Sequence, residues 1–109
     1  MTKVVFKKNG THFKSLKITG HVNFNENGFD VVCAGLSFIS QTAVLGIKEI
    51  VRVKAKYKID ELKGSLFLEL PDGLSEEELH DCDIILQTAY LGIADLKQGY
   101  SKFIQLEVI

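Results

Sequence analysis

The chain has 109 residues, 46% hydrophobic and 25% charged, with 13 Lys and Arg against 14 Asp and Glu and a net charge of −1. That length suits one domain with its own apolar core, and that balance excludes a disordered chain or a fold that depends on disulfide staples. The near-zero net charge supplies no overall basic field, so direct nucleic-acid binding is not expected from composition.

No apolar run in the sequence approaches the ~18 residues expected of a membrane span. Met1-Thr2-Lys3 leads into a strand-like run rather than a signal peptide. Cys33 and Cys82 are the two cysteines. The expectation is a cytoplasmic protein with reduced thiols, no membrane contact and no Cys33–Cys82 disulfide.

Residues 3–8 are rich in β-formers, and residues 12–19 alternate. Asn9-Gly10 between them predicts an antiparallel hairpin with a type I′ turn. Over residues 30–48 the period becomes helical, with Val32, Leu36, Ile39, Ala43 and Ile47 at spacings of three and four. Val31, Phe38 and Leu45 add apolar surface elsewhere around this helix, which is therefore expected to be largely buried. Asp30, or a residue just before it, is the candidate N-cap.

Residues 50–58 return to period two. Val51, Val53, Ala55 and Tyr57 face one way, and Arg52, Lys54, Lys56 and Lys58 the other. This predicts a strand with one basic face. Solvation is the ordinary role of such a face; contact with a nucleic acid or with a substrate is the lesser reading. Residues 65–70 predict a strand stopped by Pro71-Asp72-Gly73. Ser75 and Glu78 form a capping box ahead of a helix carrying Leu79, Cys82, Leu86, Ala89, Ile93 and Leu96 and ending near Gly99. Residues 103–109 predict a last strand. The fold class is α+β: one domain over residues 1–109, in ββαββαβ order, with a mostly antiparallel five-stranded sheet and two helices packed on it.

The chemistry concentrates between the second strand and the first helix. Gly20 and Gly28 bound a loop holding three asparagines and one glutamate. His21 stands at its entrance and Cys33 beyond its exit, the layout of a thiol nucleophile and its base. Unpaired N–H groups and the helix dipole at a helix start favour a thiolate. The loop, with Gly20, Val22, Asn23, Phe24 and Gly28 as candidate substrate contacts, has the composition of a mobile lid. Asp30 either orients His21 or caps the helix. Ser37, four residues after Cys33 and on its helix face, either joins the site or bonds to the backbone one turn back. Cys82 lies on an apolar stripe and belongs to the core. No metal site is expected, since His21 and Cys33 have no further ligands at zinc spacing, and no cofactor is implied.

Gly20-His21, followed by Gly28-x-Asp30-Val31-Val32-Cys33-Ala34-Gly35-x-Ser37, resembles the signature of the bacterial ribosomal-processing cysteine protease family (Prp). Chain length, element order and the stretch from Ile84 through Tyr100 are similar to that family as well. The resemblance implies a cysteine endopeptidase that removes a short N-terminal extension from the twenty-seventh protein of the large ribosomal subunit. It implies His21 and Cys33 as the catalytic dyad, Asp30 and Ser37 as supporting polar positions, and a homodimer. The rival readings are a non-catalytic ribosome-associated binding module and a thiol redox sensor using Cys33.

Overall fold

The computed structural model describes residues 1–20, 29–60 and 63–109, and for residues 29 and 30 the backbone only. Strands β1 (Thr2–Asn9) and β2 (His12–Thr19) form the expected hairpin. Its turn is displaced by one residue. Asn9 pairs with His12, so Gly10-Thr11 is the two-residue loop, and of these Gly10 alone has positive φ, at 68°. That is the sign pattern of a type II′ turn rather than type I′.

The register slips between Lys7 and Lys8, leaving Lys14 as an extra residue in β2. The bulge aims Lys14 outward, where its Nζ meets Asp72 Oδ1 at 2.8 Å. That hydrogen bond and the lysine charge hold the Asp72 carboxyl below the usual carboxylate range. The C=O of Lys14 accepts the N–H of Leu70 at 3.0 Å, which ties the bulge to the end of the neighbouring strand.

Helix α1 (Phe29–Leu45) runs on without a break into a π-helical turn, Gly46–Val51. Arg52 closes that turn with φ 63° and ψ 41°, and its N–H donates to the C=O of Ile47. The expected strand over 50–58 is therefore corrected: β3 spans Lys56–Asp60. Ile47 is wholly buried and Val51 packs on the core, so burial holds this segment in helical form past the point where the alternation begins. Val53 still turns inward, because its N–H donates to Ile47 C=O at 3.1 Å and Ala55 N–H donates to Val53 C=O at 2.9 Å. A compact turn thus reproduces the in–out pattern of a strand.

Strand β4 (Ser65–Glu69), helix α2 (Glu76–Gly99) and strand β5 (Ile104–Val108) complete the chain. The Ser75 hydroxyl accepts from Glu78 N–H while the Glu78 carboxylate accepts from Ser75 N–H, so the capping box forms as expected. Gly99 remains helical, and the cap falls on Tyr100 instead. The five strands lie in the order β3-β4-β2-β1-β5, antiparallel except for β1 with β5, making an α+β fold with a mixed sheet.

One face of the sheet carries Val4, Phe6, Leu16, Ile18, Leu66, Leu68 and Ile104 into a single core with Val32, Leu36, Ala43, Val44 and Ile47 of the first helix and Leu86 and Ile93 of α2. The two helices run antiparallel and interlock through glycines. A Cβ on Gly35 would fall 2.9 Å from Leu96 Cδ2, one on Gly46 3.3 Å from Ile85 Cδ1, and one on Gly92 3.5 Å from Ile39 Cδ1.

The expectation that α1 is largely buried is corrected. Phe38 is 78% exposed and Ile50 81%, with Val31, Leu45, Ile84 and Leu91 also exposed. One stripe of α1 meets the sheet, another meets α2, and the remainder faces outward. The expectation about apolar length is corrected too. Val31–Val51, with mean hydropathy 1.5, is long and apolar enough by length and composition to cross a membrane. In this fold its inward stripe is core packing against the sheet and α2.

Candidate active site

β2 brings the chain to Gly20, the last described residue before His21. Gly20 sits against the β3–β4 connection so tightly that a Cβ there would lie 3.0 Å from the carbonyl oxygens of both Lys63 and Gly64. Those are backbone atoms and cannot rotate away as a side chain would. Gly64 itself has φ 63°, a left-handed turn that brings its carbonyl to this contact. The entrance to the histidine is thus pinned by a glycine-to-backbone approach that the sequence reading assigned only to loop chemistry. His21, with Val22, Asn23, Phe24 and Gly28, lies outside the described residues, as does the expected lid.

Cys33 is the fifth residue of α1 and is exposed. That places it just past the first turn of the described helix. Its side chain nonetheless projects to solvent near the positive end of the helix dipole. Asp30 falls inside α1 as its second residue rather than at its N-cap; the side chain of Asp30 is outside the described atoms.

Ser37 is exposed one turn beyond Cys33, and its Oγ accepts from Gln41 Nε2 at 2.8 Å. Cys33, Ser37 and Gln41 therefore follow one another at four-residue steps along one helix face. The four-residue spacing that linked Ser37 to Cys33 would have revealed Gln41 had it been carried one turn further. The back-bonding considered for Ser37 is made instead by Ser40, whose buried hydroxyl donates to Leu36 C=O at 2.6 Å.

Cys82 is buried, and burial, with the nearby charges of Asp81 and Glu78 behind it, pushes its thiol up to about 11. It stays protonated and inert at neutral pH. The two cysteines form no disulfide. Among the described residues, no group of three or more His, Cys, Asp or Glu is placed to hold a metal ion. His80 is exposed beside Asp81, and His12 is half-buried.

The chain matches the family model described as Cysteine protease Prp over residues 1–105. It is 27% identical over 86 residues to the ribosomal processing cysteine protease Prp of Bacillus subtilis (strain 168), covering 79% of this chain and 77% of that protein. Its fold superposes on the essential ribosomal processing protease Prp of S. aureus in complex with a substrate peptide, with a TM-score of 0.86, 22% identity and full coverage of both chains. The S. aureus protein with a covalently linked product peptide gives 0.83 at 23% identity, again with full coverage of both. SMU.848 from Streptococcus mutans gives 0.85 at 23%, over 100% of this chain and 94% of that one. An exposed cysteine near the start of a helix, following a strand that leads into a histidine, is thus found in a chain whose match to the family runs through both positions: the protein belongs to the Prp family of cysteine proteases.

Proposed function

We propose that this peptidase removes the N-terminal extension of the twenty-seventh large-subunit ribosomal protein in the cytoplasm, with Cys33 as nucleophile and His21 as its base. The observation that carries the reading is the contrast between the thiols: Cys33 is exposed near a helix start and Cys82 is sealed in the core. It is supported by the family match and by the S. aureus relative seen with a substrate peptide.

In this mechanism the Cys33 thiolate attacks the scissile carbonyl carbon and forms a C–S bond. Breakdown of the tetrahedral adduct breaks the C–N bond, and the His21 imidazolium gives its proton to the departing amine. Neutral His21 then takes a proton from water, whose oxygen attacks the thioester and releases the new carboxylate and the thiolate. The unpaired N–H groups of the first turn of α1 serve as oxyanion donors. Ser37, bonded to Gln41, lines the substrate side of the nucleophile, and Asp30 supports the histidine.

The same enzyme acts as a homodimer. The outward apolar strip of Phe38, Leu45 and Leu91 is the surface for the second copy.

The test is incubation of the pure protein with a peptide spanning the ribosomal extension, beside Cys33→Ala and His21→Ala. Cleavage by the parent and none by either variant is expected. Binding without cleavage by the parent would identify a binding module instead. An intact peptide together with a sulfenic acid or mixed disulfide at Cys33 would identify a redox sensor.

A further inference from the structure

Both helices cover one face of the sheet, and among the described residues no element covers the other. The strand register places Lys58, Phe67, Lys17 and Val5 in one row across β3, β4, β2 and β1 of that open face. The next row holds Lys56, Glu69, Ser15 and Lys7. Directly opposed side chains on a sheet have Cβ atoms about 5 Å apart, so the half-buried Phe67 ring lies between two lysines.

We propose that this open face binds single-stranded RNA, with Phe67 stacking a base and Lys17 and Lys58 meeting the flanking phosphates. Among the described residues, neither Lys17, Lys56 nor Lys58 is in an ion pair. Edge placement accounts for Lys56 and Lys58 alone, since lysines on an outer strand discourage sheet-to-sheet association. It does not account for Lys17, which is on the central strand β2 beside the aromatic ring.

The charge is also segregated. Residues 48–58 carry five of the 13 basic side chains and one of the 14 acidic ones. Of these five, the strand register places Lys56 and Lys58 on the open face, in a chain whose overall charge gave no sign of it. The acidic groups on the face are Asp60, Glu69 and Glu107, and Glu107 is engaged by Lys3 at 3.9 Å. A flat ring between cations suits a base and its phosphates, because every base has a face to stack. An acidic peptide would use the lysines and leave the ring unexplained. The choice of RNA over DNA rests on the proposed ribosomal substrate; the surface itself does not.

The experiment is fluorescence anisotropy of a labelled oligouridine of about 12 nucleotides, with the parent and with the Lys17→Glu/Lys58→Glu and Phe67→Leu variants. The parent is expected to bind, with log affinity falling linearly in log salt. The double charge reversal is expected to weaken binding at least roughly tenfold and to flatten the salt slope by ~1.4, two phosphates' worth. Phe67→Leu is expected to weaken binding roughly tenfold while keeping the slope. Matching melting curves establish that each variant folds, and Lys17→Gln/Lys58→Gln replaces the double reversal if that variant does not.

No binding at low salt, or unchanged binding by the folded variants, overturns the proposal. So does displacement by polyglutamate as readily as by oligouridine, which would mark an acidic protein partner. Oligodeoxyuridine bound more tightly than oligouridine overturns the choice of RNA. Cleavage of the free ribosomal peptide by Lys17→Glu/Lys58→Glu at the parental rate is expected. An RNA-binding parent that cuts no peptide would sink the proposed function and leave this surface standing.

Discussion

The backbone N–H of Phe13 donates to Asp83 Oδ1 across 2.7 Å, joining the start of β2 to the buried side of α2. The other carboxylate oxygen accepts from Gln87 Nε2. The bulge at Lys14 disturbs the ladder beside Phe13, and Asp83 supplies the acceptor there. Asp83→Ala would leave a buried donor unsatisfied, so a loss of about 1–3 kcal/mol is expected. Urea unfolding monitored by circular dichroism measures it, and Asp83→Asn should recover part of the loss by offering a carbonyl oxygen to Phe13.

Thiol chemistry should divide the two cysteines cleanly. The native protein is expected to take up one equivalent of iodoacetamide at neutral pH, at Cys33, and a second only when unfolded. Peptide mapping by mass spectrometry reads the sites. Labelling of Cys82 in the native state would contradict its burial.

Cys82 also sets an alkaline limit. In the unfolded chain its thiol ionises near 9.0, while in the fold it holds its proton until about 11. Between those values the folded state binds more protons, so its stability is intact below pH 9 and falls as pH rises through the window. Unfolding midpoints taken across pH 8 to 11 should fall less steeply for Cys82→Ala than for the parent.

Gly20→Ala tests the pinning of the strand end. The added methyl would meet the carbonyls of Lys63 and Gly64 at 3.0 Å, and the chain leading to His21 must shift to relieve it. Peptide turnover is expected to fall by one to two orders of magnitude, on the order expected for a small displacement of a catalytic group. The melting temperature should fall by only a few degrees.

Phe38→Glu puts a charge among the outward apolar residues of α1. Given the proposed dimer, a shift to monomer in sedimentation analysis is expected, with the helical circular dichroism unchanged, because Phe38 is 78% exposed in the single chain. A variant that sediments like the parent would move the dimer surface elsewhere.

Local signals carried much of this structure. The alternation in residues 12–19, the Ser75–Glu78 capping box and the spacing from Cys82 to Ile93 each depend on neighbours a few residues away, and each element formed where its signal lay. The alternation beginning at residue 50 misled, because a π-helical turn and the left-handed Arg52 reproduce the burial pattern of a strand. Phe38 misled in the other direction: its helical spacing is apolar whether its face meets a core or open surface.

Taken alone, the sequence determined the element order, the α+β class and the motif that joins Gly20-His21 to Cys33, because each rests on short-range chemistry or on residue identity. Only the tertiary structure decided the strand order, the contact of Gly20 with the Lys63 and Gly64 carbonyls, and the row in which Phe67 falls between Lys17 and Lys58. Those relationships join residues far apart in the chain. Their energies depend on which surfaces exclude water together, and no local pattern records that.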